Sequence, residues 1–185
     1  MKLSILILLL NFSYVLAQNT SDCPCCTIDH KAFDYWIGDC TVYNTEGKVI
    51  GTNNIVKMQN GCVLQENWIA SNKTNTGTSY NFFDLSDSTW NQVWISGTGN
   101  VLNLKGNINK DGAMVLKSEL TTGSKGNYYN QITWTKNDDG SVTQRWDILN
   151  DKGETNNKAF EGIYKKVEDN NKKCSKKSKG QELEN

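Results

Sequence analysis

One feature restricts the fold of this chain more than any other. Apolar and polar residues alternate with period two in short runs, and turn residues interrupt the alternation about every ten positions. The runs 39–43, 51–58, 62–70, 77–85, 89–96, 101–108, 113–120, 127–135, 141–149 and 158–167 read as strands. They are rich in Trp, Tyr, Phe, Ile and Val, and proline occurs once in 185 residues. Such a composition suits strands rather than helices. The pattern predicts an all-β domain: an antiparallel up-and-down barrel of about ten strands. A two-sheet sandwich is the alternative. The barrel is favoured because nearly every link is short enough to join adjacent antiparallel strands.

The links alternate in character. Those at 59–61, 86–88, 109–112 and 137–140 are tight and rich in turn residues, and two of them end in Asp-Gly. Those at 44–50, 71–76, 121–126 and 150–157 are mostly longer. Alternate links of a meander lie at the same end. One end is therefore expected to be closed, and the other to carry loops suited to binding. Cys23, Cys25, Cys26, Cys40, Cys62 and Cys174 all fall at the tight end in this arrangement. All six are expected in disulfides, with Cys62 joined to Cys25 or Cys26. A zinc site in the Cys-Pro-Cys-Cys cluster is the competing reading.

Redox context follows from the N-terminus. Residues 1–17 read as a signal peptide, with Lys2, an apolar run over 3–10 and a small-residue cleavage site at Val15-Leu16-Ala17. The run is too short for a membrane anchor, so no stable membrane insertion of the mature chain is expected. A secreted protein results, extracellular, or periplasmic in a bacterium, where cysteines oxidise. Residues 18–32 form a cysteine-rich segment, 33–167 the barrel, and 168–185 a lysine-rich polar tail. The formal net charge is zero, so no bulk field draws the protein to nucleic acid. Asn19-Thr20-Ser21 and Asn72-Lys73-Thr74 fit glycosylation acceptors.

Alternation also sorts the side chains. The face holding most large aromatics points inward: Leu64, Glu66 and Trp68; Ser79, Asn81 and Phe83; Trp90, Gln92 and Trp94; Val142, Gln144 and Trp146; Phe160, Gly162 and Tyr164. The opposite face carries Gln65, Asn67, Lys105, Lys117, Glu119, Arg145 and Asp147, which suit water. Glu66, Asn81, Gln92 and Gln144 among Trp68, Trp94 and Trp146 describe a small-molecule pocket with a few placed polar groups. These seven are the candidate ligand-binding residues, and a small hydrophobic ligand is the expected partner. The competing reading is a polar network that satisfies itself.

Catalytic signals are sparse. The single histidine, His30, reads as a surface residue, and no Ser or Cys is paired with it as a nucleophile. No metal, phosphate or dinucleotide motif appears, so no catalytic residue, metal or cofactor is assigned. An isomerase or cyclase shaping a lipid- or terpene-like substrate around Glu66 is the enzymatic alternative. A surface interaction module is the third reading.

Phe33-Asp34-Tyr35-Trp36-Ile37-Gly38-Asp39, Gly61-Cys62-Val63-Leu64-Gln65-Glu66-Asn67-Trp68, Trp90-Asn91-Gln92-Val93-Trp94, Gln144-Arg145-Trp146 and Phe160-Glu161-Gly162-Ile163-Tyr164 carry a resemblance. In this order they resemble the domain of unknown function 1579 family of secreted barrel proteins. The resemblance implies a calycin-like barrel related to lipocalins and nitrobindins, with a short helix or turn around Phe33–Trp36 plugging the floor. It implies no reaction. Cys40 stands where the family usually has an aromatic, which suggests a disulfide in place of a floor contact. The histidine of the haem-binding relatives has no counterpart here, so haem is not expected.

Overall fold

The computed structural model describes residues 23–124 and 126–167. The expected signal peptide, the lysine-rich tail and Cys174 lie outside them. The chain builds eleven strands: β1 Gly38–Tyr43, β2 Val49–Met58, β3 Val63–Ala70, β4 Thr76–Asp84, β5 Thr89–Ser96, β6 Val101–Ile108, β7 Met114–Lys117, β8 Thr121–Gly123, β9 Gly126–Lys136, β10 Val142–Leu149 and β11 Thr155–Lys166. Every pairing is antiparallel. Neighbours in sequence pair from β1 to β7, β7 pairs with β9, β9 with β10, β10 with β11, and β11 returns to β1. The ring is therefore a closed ten-stranded barrel of calycin-like form. Closure leaves the ten strands of the ring without an open edge. The short strand β8 stands outside the ring, paired only with β9.

The tight turns close one end. Gly112 and Gly140 both have φ of +80°, which the Asp-Gly turns require and other residues resist. The N-terminal segment fills this end with two single turns of 3₁₀ helix, Asp29–Lys31 and Asp34–Trp36. Phe33 and Trp36 are fully buried and stack at a centroid distance of 4.9 Å. Both rings also pack against Trp134, at 5.2 and 5.4 Å. Polar ties fix the plug to the walls. Tyr35 donates to the Trp134 carbonyl at 2.9 Å and accepts from the Met114 amide at 3.2 Å. Trp90 Nε1 donates to the Asp29 carbonyl at 3.1 Å. Beneath them a disulfide joins Cys25 to Cys62, and a second joins Cys23 to Cys26. The sulfurs of the cysteine cluster are thus spent on disulfides rather than on zinc.

Three expectations need correction, and a fourth reaches beyond the described residues. His30 is not a surface residue; it is buried. Its ring meets Phe83 edge-on at 5.3 Å, and Nδ1 lies 2.7 Å from Thr27 Oγ1. Asp147 is buried although it faces outward, because Arg145 lies over it and donates from Nε to both carboxylate oxygens. The expected strand 113–120 ends at Lys117. There the Ser118 amide still donates to the Asn130 carbonyl, but the Ser118 hydroxyl accepts the Asn130 amide in place of a backbone carbonyl and donates to the Glu119 carbonyl. The fourth concerns Cys40, which forms no disulfide among the described residues, while Cys174, expected near it, lies outside them. Cys40 is buried at the start of β1, and burial pushes its thiol pKa up.

Candidate functional site

Above the aromatic floor the barrel is hollow. A cavity of about 670 Å³ opens at the end that carries the long links, bordered by Thr74 and Asn75 from the link 71–76 and by Thr98 and Asn100 from the shorter link 97–100 at the same end. Its volume lies within the roughly 300–1,000 Å³ of small-molecule sites. The inward faces supply its walls. Trp68, Trp94, Trp146 and Phe160 line it, together with Leu102, Ile132 and Tyr128. Trp68 and Phe160 meet across the interior edge-to-face at 6.0 Å.

Two glycines make room for these indoles. A Cβ on Gly77 would stand 2.2 Å from the Trp94 ring, and one on Gly51 would stand 2.4 Å from the Trp68 ring. Each ring therefore packs against bare backbone where a side chain would collide with it.

The cavity base is polar and is built across four strands. Glu66 on β3 accepts from Asn53 Nδ2 of β2 at 2.8 Å and from Ser79 Oγ of β4 at 2.6 Å. Asn81 Nδ2 donates to Ser79 Oγ at 2.9 Å and to the Leu64 carbonyl at 3.1 Å. Gln92 Nε2 of β5 donates to Asn81 Oδ1 at 2.8 Å. Glu66 and Ser79 are directly opposed, as are Asn81 and Gln92, Ser79 and Asn81 are two positions apart on β4, and Asn53 reaches Glu66 diagonally, which brings these side chains into one row. On the far wall Tyr164 donates to Gln144, and Trp146 Nε1 donates to Asn130 Oδ1 at 3.0 Å.

Glu66 is buried and has no cationic partner among the described residues, whose ion pairs lie elsewhere, at Lys57–Asp34, Lys105–Asp87, Arg145–Asp147 and Lys158–Glu161. Burial raises its pKa to about 7, and the hydrogen bonds from Ser79 and Asn53 only partly offset this. Burial also pushes the Tyr164 hydroxyl well above its ordinary range, and the nearby Glu66 charge adds to the effect.

Glu66, Trp68, Gln92, Trp94, Gln144 and Trp146 all line the cavity. Asn81 does not. It sits behind the surface, fully buried, and holds Ser79 and Gln92 in place. Sequence reasoning passed over Asn53, because β2 reads Val-Ile-Gly-Thr-Asn-Asn-Ile and two adjacent asparagines hide which one faces inward. It placed Tyr164 inward without assigning it to the site. The network is not closed on itself. Asn53 Oδ1 is buried without a partner, and Gln92 Oε1 and Gln144 Nε2 bond to no described residue. Among the described residues no group of three or more His, Cys, Asp or Glu could hold a metal, and no helix is long and apolar enough to cross a membrane. No protein-family model matches the sequence, and no curated protein matches it.

Proposed function

We propose that this protein binds a small, largely apolar molecule inside the barrel, with one polar group of the ligand directed at the base. The observation that carries the reading is the combination in one cavity of an open apolar volume, aromatic walls and a partly unspent polar base. A packed structural core would fill that volume and satisfy those groups. Burying an aromatic ligand face against Trp68, Trp94 and Trp146 supplies contact area, and the base supplies orientation. The setting we propose is outside the reducing cytosol. The two disulfides support it, as does the apolar leader over 1–17. The ordered likeness to the domain of unknown function 1579 family is part of the same reading.

Titration with Nile red, a neutral solvatochromic dye, tests it. The account expects saturable binding with a blue-shifted emission, weakened about tenfold or more by Trp94→Ala. That factor is the loss of roughly 1.4 kcal/mol of aromatic contact. Absence of saturable binding by the intact, disulfide-bonded protein would remove the basis of the proposal.

A second reading draws on Glu66. A buried carboxyl with a pKa near 7 at the base of the cavity is poised as a general acid or base. Isomerisation or cyclisation of a hydrophobic substrate would then depend on Glu66, and retained turnover in Glu66→Gln would exclude it.

A further inference from the structure

The base of the cavity narrows the chemistry of its occupant. Glu66 is the one carboxylate among the cavity-lining residues, and these include no Lys, Arg or His. Each Glu66 oxygen accepts a single hydrogen bond, from the neutral donors Asn53 and Ser79, which leaves acceptor capacity on both. A buried carboxylate without a counter-ion is costly, and a cation brought by the ligand is the direct remedy. The walls favour the same charge. Trp68, Trp94, Trp146 and Phe160 present π-systems whose negative faces attract an ammonium. At the mouth, Thr74, Asn75, Ser96, Thr98 and Asn100 are uncharged and do not oppose entry of a cation. An anionic head, such as a fatty-acid carboxylate, would meet Glu66 with no basic side chain to receive it.

We propose, on the premise that the cavity is a ligand site, that its ligands are monoamines, with the ammonium against Glu66 and an aromatic or aliphatic body against Trp68, Trp94 and Trp146. Such a ligand exchanges the water around its charge for a carboxylate and ring faces, and buries its body against the walls. Binding is coupled to ionisation of Glu66. Other groups facing Glu66 leave that coupling simple. Asn53 from β2, Ser79 and Asn81 from β4 and Gln92 from β5 do not titrate. Tyr164 from β11 is held neutral by burial, and the Cys40 thiol of β1, which acts on Tyr164, is likewise pushed up.

Calorimetric titration of the intact protein with tryptamine and with tryptophol, which replaces the ammonium by a hydroxyl on the same indole, tests this, with Nile red titrated alongside. The proposal expects tryptamine to bind at least about tenfold more tightly than tryptophol at pH 8. Its affinity should fall by about tenfold toward pH 6 as Glu66 takes up a proton, while that of tryptophol stays level. Glu66→Gln should bring tryptamine down to the tryptophol level and abolish the pH dependence of its affinity. The comparison in the unmutated protein stands even if the variant folds poorly. Tryptophol binding as well as tryptamine, a tryptamine affinity independent of pH, or binding of Nile red alone would overturn the amine assignment and leave the cavity reading intact. Failure of all three compounds to bind would overturn both.

Discussion

At the residue scale, Glu66 ties stability to pH. Its pKa is raised in the folded protein from an ordinary 4.5 to about 7, so between these values the folded state holds more protons than the unfolded one. Stability from this group is fully present below pH 4.5, declines as pH rises through about 7, and levels off above it. The whole span amounts to roughly 3 kcal/mol at 1.36 kcal/mol per pH unit. Urea unfolding between pH 5 and 8 should show this decline in the unmutated protein and a flatter profile in Glu66→Gln. A profile unchanged by the substitution would mean that Glu66 does not titrate in this range. Tyr164→Phe removes a different bond. It leaves Gln144 Oε1 without its donor, and unfolding should show a loss of about 1–3 kcal/mol.

Elements matter through the way strands make room and the way the floor is pinned. Gly77 on β4 lets Trp94 lie against bare backbone, so Gly77→Ala must displace that ring or strain the strand. The cost should be about 1–3 kcal/mol, and Nile red affinity should fall with it. Unchanged affinity would show that the ring's seat is not part of the site. The two disulfides should differ in weight. Cys25–Cys62 spans 37 positions and pins the plug to β3, whereas Cys23–Cys26 spans 3. Replacing the long bridge by the serine pair should cost about 2–4 kcal/mol and speed amide exchange in residues 29–36, and replacing the short one should cost less. Equal losses from the two pairs would contradict the role given to the long bridge.

Across the whole molecule, the barrel was legible because its signals are periodic. Alternation in β3, β5 and β10 assigns Glu66, Gln92 and Gln144 inward, and Asp-Gly turns mark which end closes. Periodicity is silent where the chain is not periodic. His30 lies in a plug of single 3₁₀ turns, so nothing in its neighbours reveals that Phe83 covers it. Asp147 follows the outward pattern and is buried only because Arg145 folds over it. Gly51 and Gly77 begin two of the expected strands, and nothing in the sequence shows the indoles they accommodate. The six tryptophans divide along the same line as the molecule. Trp68, Trp94 and Trp146 line the cavity, while Trp36, Trp90 and Trp134 belong to the packed floor. Indole N–H resonances followed by ¹H–¹⁵N NMR during Nile red titration therefore test the central claim directly. The account predicts saturable shifts for Trp68, Trp94 and Trp146, with Trp36, Trp90 and Trp134 nearly still. Shifts confined to the floor tryptophans, or no saturable shift in any of the six, would contradict a ligand cavity at the end that carries the long loops.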